Sequence, residues 1–166
     1  MKAIVAVDKN WAIGKDGKLL VHISPDMKRF RELTKGKVVI YGRKTLETFP
    51  GAKPLPYRKN IILSRNPDYH VEDAITVHST DELEETIQGL SGEYDKDDMI
   101  VIGGESIYRL LLPLCDTVLL TRVERTYDAD AWFPNLDEDP EWECRSKGEL
   151  QEYEGIPFRF DDYYRI

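Results

Sequence analysis

Met99-Ile-Val-Ile-Gly-Gly-Glu-Ser-Ile-Tyr108 runs from an apolar strand candidate through a glycine pair into the opening of a helix. Backbone without side chains at Gly103 and Gly104 can approach a phosphate closely, and amides at a helix start can receive its charge. The same strand-to-helix unit recurs outward along the chain. Apolar strands are expected at 2–7, 38–41, 60–64, 74–77 and 117–121 beside 99–102, with helices at 43–49, 80–88 and 105–112. Ser79 and Glu82 have capping-box spacing, and Pro113 stops the last helix. The near-continuous hydrophobicity of the strands predicts an α/β domain with a central sheet covered on both faces. Beyond 141, Trp142-Glu-Cys-Arg-Ser and Ile156-Pro-Phe-Arg-Phe160 predict an antiparallel pair at one edge, joined around Gly148 to Gly155.

The glycine pair completes neither GxGxxG nor GxxxxGK[ST], so a conventional dinucleotide fold or P-loop gains little support, and a tight turn also explains two adjacent glycines. Two further strand ends carry comparable chemistry. Gly42-Arg43-Lys44-Thr45 offers two cations and a hydroxyl, and Ser64-Arg65 repeats the hydroxyl and cation. Turns and solvated charges account for each locally, but three anion-friendly strand ends together are more specific than one.

A carboxylate stands among large apolar side chains in Ser24-Pro25-Asp26-Met27-Lys28-Arg29-Phe30. Ser24 is expected to cap a helix and Pro25 to take its first position, which puts Asp26, Met27 and Phe30 on one face. An acidic residue in a first turn also has a purely local reason to be there, the helix dipole. Ahead of this helix, Asp8 to Gly17 reads as a long glycine-punctuated loop, a length often used for function.

The 166 residues suit one domain with a substantial core. Two cysteines, Cys115 and Cys144, and three scattered histidines, His22, His70 and His78, argue against a disulfide scaffold or a metal centre. Net charge is −8, which disfavours nucleic acid and anionic membrane as partners. Its distribution is uneven: residues 1–65 hold fifteen Lys or Arg against five Asp or Glu, and residues 66–166 hold eight against twenty-six. A small anion could be received by the basic part. Neither a secretory leader nor an apolar run of about 20 residues is visible, so a soluble cytoplasmic protein is expected. Without a long apolar heptad, a monomer is the default.

Taken together, Ala6 through Gly14, the acidic helix at Asp26, Gly42-Arg43-Lys44-Thr45, Pro54-Leu-Pro-Tyr-Arg-Lys-Asn60, Ile102-Gly103-Gly104 and Thr121 resemble the dihydrofolate reductase family, over almost the whole chain. The resemblance implies an eight-stranded, mostly parallel sheet with an antiparallel C-terminal edge, and reduction of 7,8-dihydrofolate to 5,6,7,8-tetrahydrofolate by hydride transfer from NADPH. It implies that Asp26 faces the pterin edge, with Thr121 supporting it. Val5, Ala6, Met27, Phe30, Phe49, Leu55 and Ile102 would line the substrate pocket, and Arg58 would pair with the glutamate tail of folate. Ala6, Ile13 and Gly14 would flank the nicotinamide. Arg43, Ser64 and Arg65 would receive the adenosine 2′-phosphate. Lys44, Thr45 and Ile102 through Ile107, including Glu105 and Ser106, would address the rest of the cofactor. A cis peptide is expected at Gly103-Gly104.

The chain departs from the family pattern at three places. Leu20-Val21-His22 stands where a Leu-Pro-Trp sequence is usual, so His22 replaces an indole near Asp26 and would there act as a catalytic residue, by preserving a water contact or by acquiring charge and strengthening pH dependence, or merely fill space. Leu46 replaces a common tryptophan, and Glu105 a glycine, whose carboxylate should then point away from a pyrophosphate. A reductase of a tail-less pteridine or pyrimidine-like compound, and a non-catalytic nucleotide-binding module, are the alternatives.

Overall fold

A computed structural model describes residues 1–166. The chain opens with β1 (Lys2–Val7), β2 (Ala12–Lys15) and β3 (Lys18–Leu19), followed by α1 (Ser24–Thr34). Next come β4 (Val38–Gly42), α2 (Arg43–Leu46), β5 (Lys59–Leu63), β6 (Ile75–Val77) and α3 (Thr80–Gly89). The second half holds β7 (Met99–Gly103), α4 (Glu105–Leu111), β8 (Thr117–Val123), β9 (Ala131–Trp132), β10 (Trp142–Lys147), β11 (Gln151–Tyr153) and β12 (Ile156–Arg165).

The main sheet has the order β10-β12-β8-β1-β7-β4-β5-β6. Pairing is parallel from β8 through to β6 and antiparallel where β12 meets β8 and β10. The expected antiparallel edge is therefore present. β11 forms a hairpin on β12 and adds a ninth strand to the eight of the main path.

Side-chain alternation divides the core between the two faces. In β4, Val38 and Ile40 join Leu83 of α3 and Leu111 of α4 on one face, whereas Val39 and Tyr41 pack with Leu46 and Ile62 on the other. All four β4 side chains are fully buried. A side chain of this kind contributes about 1.5–3 kcal/mol on burial, so the continuous apolar runs are what hold the sheet between its helices. α1 lies on the second face, because its Asp26 meets Thr121, whose neighbour Leu120 points into the first.

Local details differ from expectation where tertiary contacts prevail. The Asp8 to Gly17 segment is not all loop: β2 and β3 form a hairpin that joins β9 in a second, three-stranded sheet. Ile23, not Ser24, is the N-cap of α1, and it has no side-chain cap bond. Ser24 Oγ instead donates to Tyr153 Oη at 2.9 Å, a contact across the chain that outcompetes local capping. Ser79 Oγ does accept from the Glu82 N–H at 3.1 Å, but the Glu82 carboxylate accepts from His78 rather than closing the box on Ser79. The helix expected at 43–49 stops at Leu46, and Pro113 lies in a 3₁₀ turn that extends α4.

Candidate active site

Asp26 sits in the first turn of α1 and Thr121 near the end of β8, and the Thr121 hydroxyl donates to Asp26 Oδ1 at 2.6 Å. Thr121 is buried in the sheet. Burial pushes the Asp26 carboxyl above the ordinary carboxylate range, opposed by the Thr121 hydrogen bond and by the charges of Arg29 and His22. A carboxylate that is desolvated yet held by one hydroxyl keeps an acceptor oxygen for a ligand.

The sheet opens beside this pair. β1 pairs with β8 from Lys2 to Val7 but with β7 only through Lys2 and Ala3, so β1 and β7 part beyond Ala3. The Tyr108 hydroxyl reaches into this gap and donates to the Ile4 carbonyl at 2.7 Å. Ala6, in register with Thr121, shares the Asp26 face and is half-exposed. Val5 is the exception among the expected lining residues. Its side chain belongs to the core on the opposite face, because strand neighbours alternate, so only its main chain borders the gap.

Met27 and Phe30 are half-buried on α1. Phe49, Leu55 and Ile102 pack against the Val39, Tyr41, Leu46 and Ile62 cluster, with Phe49 edge-on to Tyr41. Arg58 is anchored twice: Nε donates to Thr34 Oγ1 at 2.8 Å and Nη1 to the Pro56 carbonyl at 2.7 Å. Burial, with Arg31 close by, lowers its pKa from the ordinary value. The segment between Leu55 and Arg58 is shaped by Asn60, which the sequence reading places in a strand without a further role. Its Oδ1 accepts from the Leu55 N–H and the Tyr41 hydroxyl, and its Nδ2 donates to the carbonyls of Leu55 and Arg58. An asparagine inside an apolar strand was the available signal, since a buried amide must find partners.

His22 does not take an indole's place over Asp26. It is exposed, with Nε2 3.2 Å from Ser24 Oγ and its ring edge-on to Tyr153. The apolar position at the helix entrance belongs to Val21, packed against Ile23, Val123 and Phe158.

Because β7, β4 and β5 are adjacent and parallel, their C-terminal ends bring Gly103-Gly104, Gly42-Arg43-Lys44-Thr45 and Ser64-Arg65 to one edge of the sheet. The Gly103-Gly104 peptide is cis. A Cβ on either glycine would stand 3.5 Å from Thr45 Oγ1, and one on Gly42 would meet Ile107 Cγ1 at 2.9 Å. Glycine thus leaves the main chain bare over the Thr45 hydroxyl. Arg43, Lys44, Arg65 and Ser106 are exposed around it, and Arg43 makes a long 3.9 Å contact with Glu47 and lies over the Tyr69 ring, 5.8 Å from its centroid. Ser64 Oγ accepts from the Asn66 N–H at 3.3 Å. Glu105 points away from the turn and accepts from the Trp132 N–H.

The three-stranded sheet stands beside this edge. Ile13 packs on the main core, and Gly14 tolerates no side chain, since a Cβ there would lie 2.9 Å from the Lys18 carbonyl. Its hairpin is tied down through Asp130, whose N–H donates to the Gly14 carbonyl and whose carboxylate accepts from Asp16 N–H, both at 3.0 Å. No group of three or more His, Cys, Asp and Glu side chains is placed to hold a metal.

A sequence model of the family described as dihydrofolate reductase matches residues 1–165. The chain belongs to the dihydrofolate reductase family. It is 40% identical over 158 residues to the dihydrofolate reductase of Mycobacterium leprae, covering 92% of this chain and 90% of that protein. The Bacillus subtilis enzyme is 33% identical over 158 residues, covering 95% and 89%. The structure of Enterococcus faecalis dihydrofolate reductase, complexed with NADP(H) and RAB-propyl, is similar with a TM-score of 0.81 and 34% identity, over 99% of this chain and 95% of that one. As a dihydrofolate reductase this chain is an oxidoreductase, and the mostly parallel sheet with flanking helices is the fold of its family.

Proposed function

We propose that residues 1–166 form a single catalytic domain, active as a monomer, whose Asp26 pocket binds the pterin ring of dihydrofolate next to a cofactor seated across the ends of β7, β4 and β5. The reaction is reduction of 7,8-dihydrofolate to 5,6,7,8-tetrahydrofolate with NADPH as hydride donor, in keeping with the family and with the NADP(H) complex of the E. faecalis relative. One observation carries the placement. Asp26 is a largely buried carboxyl group on the helix that carries Met27 and Phe30, held by Thr121 of β8, whose registered neighbour Ala6 lies on β1 where β1 has parted from β7.

NADPH, when bound, supplies the hydride that adds to C6 of the pterin while a proton adds to N5. The residues of the chain do the rest. Ionised Asp26 accepts hydrogen bonds from the 2-amino group and N3–H, fixing the ring and making N5 more basic, while water delivers the proton. The Thr121 hydroxyl orients the carboxylate and favours its charged form. Met27, Phe30, Leu55, Phe49, Ile102 and Ala6 supply apolar surface that excludes water from the reacting faces. Arg58, already held by Thr34 and Pro56, offers its remaining Nη2 edge to the glutamate carboxylate of the substrate, a better fit to folate than to a tail-less pteridine.

The cofactor edge fits a polyanion. The bare Gly103-Gly104 main chain, with the Thr45 hydroxyl beside it, leaves room for the pyrophosphate, while Gly42 lets Ile107 of α4 pack against its backbone. Lys44 and Ser106 flank it, and Arg43, Ser64 and Arg65 would select the 2′-phosphate. Ala6, Ile13 and Gly14 would enclose the nicotinamide side. His22, through Ser24, orders the α1 entrance rather than contacting the pterin.

Two free thiols, one buried and one exposed, agree with a reducing compartment and hence the cytoplasm. No helix is long and apolar enough to cross a membrane. The deciding test is dihydrofolate-dependent loss of NADPH absorbance by the purified protein, with tetrahydrofolate identified as product in equal amount.

A further inference from the structure

Glu105 occupies the residue after the Gly103-Gly104 turn, where a carboxylate would oppose an anionic cofactor, yet its side chain is committed elsewhere. Glu105 Oε2 accepts a hydrogen bond of 2.5 Å from the Trp132 N–H of β9. The inner edge of β9 is used by the hairpin, with Phe133 N–H donating to the Trp11 carbonyl at 2.8 Å and Asp130 N–H to Gly14 at 3.0 Å. Between these two bonds the register against β2 shifts, and alternation from Phe133 turns the Trp132 N–H to the outer edge, where no further strand pairs with it. Glu105 fills that place. Asp130 in turn holds the β2–β3 turn through Asp16 N–H, and Phe133 packs on Tyr108, 5.0 Å between ring centroids, beneath the tie. A continuous series of contacts therefore runs from the hairpin through Asp130 and Trp132 to the glycine turn.

We propose that Glu105 is a positioning residue that seats the β2–β3–β9 sheet against the Gly103-Gly104 turn and couples that seating to cofactor affinity. The inference rests on the reading of the glycine turn as part of the cofactor site. Tied to Trp132, the carboxylate is turned away from the turn and its charge is partly met by a donor. Released, it leaves β9, and with it the Gly14 hairpin held by Asp130, without its seat beside the turn, so the cofactor must order them on binding. The anionic cofactor therefore binds better to the tied arrangement, and by reciprocity its binding strengthens the tie.

The test uses amide hydrogen exchange of the whole protein without cofactor, together with NADPH affinity by fluorescence titration. In Glu105→Ala, exchange in residues 12–19 and 130–133 is expected to quicken at least about tenfold while β4 and β5 keep their protection, because only the local opening is made easier. NADPH affinity is expected to weaken about fivefold. Glu105→Gln retains an acceptor oxygen and is expected to restore both readouts to within about twofold. Unchanged exchange in those segments, a uniform loss of protection including β4 and β5, or unchanged NADPH affinity despite faster local exchange would each overturn the coupling. A wild-type protein that bound no NADPH would overturn the cofactor-site reading instead, and the exchange pattern without cofactor would still report whether the tie exists.

Discussion

Thr121 Oγ1 lies 2.6 Å from Asp26 Oδ1, joining a β8 side chain to the first turn of α1 across 95 residues of sequence. The hydroxyl favours the ionised carboxylate, while burial, the larger influence, disfavours it. Because the net result is a raised folded-state pKa, ionisation of Asp26 costs stability. The contribution is favourable below the ordinary carboxyl value of 3.8 and is lost as pH rises through the raised value. Asp26→Asn is therefore expected to unfold at a higher temperature than wild type at pH 7 in the absence of ligands, with the difference disappearing at pH below 3.8. Thermal unfolding of both proteins across this range checks the sign.

Thr121→Val keeps the side-chain volume and removes the donor. Hydrogen bonds to charged groups contribute about 1.5–3 kcal/mol, so the Asp26 pKa should rise further and kcat/KM for dihydrofolate fall by about 10- to 100-fold. A carboxyl titration followed by NMR in the free protein reads the pKa shift directly, and an unmoved titration would remove Thr121 from the site.

Arg58→Ala should raise KM for dihydrofolate by about 10- to 100-fold, the equivalent of one charge-assisted pair, with a much smaller effect on kcat. A pteridine without the glutamate tail should be reduced equally well by both proteins. Equal losses for both substrates would point to a disturbed Phe30 pocket rather than to tail recognition, since the guanidinium also lies over the Phe30 ring.

Asn60→Ala removes partners from the Leu55 N–H and carbonyl and from the buried Tyr41 hydroxyl. Each orphaned group costs about 1–3 kcal/mol, so a loss of roughly 3 kcal/mol or more is expected in denaturant unfolding. Activity of the folded fraction should fall through KM for dihydrofolate, because Leu55 and Arg58 are carried by the same segment.

Much of this architecture is legible from residue pattern. The runs at Val38–Gly42 and Met99–Gly103 could be read as strands because burial on both faces demands unbroken hydrophobicity, and the Asp26 face followed from helical spacing. Elements fixed by distant partners were not legible. β3 is two exposed residues, Lys18 and Leu19, and β9 is only Ala131 and Trp132, so neither has a period to detect. Ser24 reads as a cap until Tyr153 arrives from the β11 hairpin, and His22 stays exposed while Val123 and Phe158 offer an apolar seat to the neighbouring Val21. Val5 shows the remaining difficulty. Adjacent strand residues face opposite sides, and a motif that names both cannot say which side chain enters the cleft.

The measurement that bears most directly on the account compares wild type with Asp26→Asn in dihydrofolate-dependent NADPH oxidation, with NADPH affinity measured on the same samples. Wild type is expected to oxidise NADPH and form tetrahydrofolate in equal amounts, and the variant to bind NADPH as tightly while turning over at least about 100-fold more slowly, because N5 loses the carboxylate that makes it basic enough to take a proton from water. Turnover of the variant at the wild-type rate would contradict the placement of the pterin at Asp26.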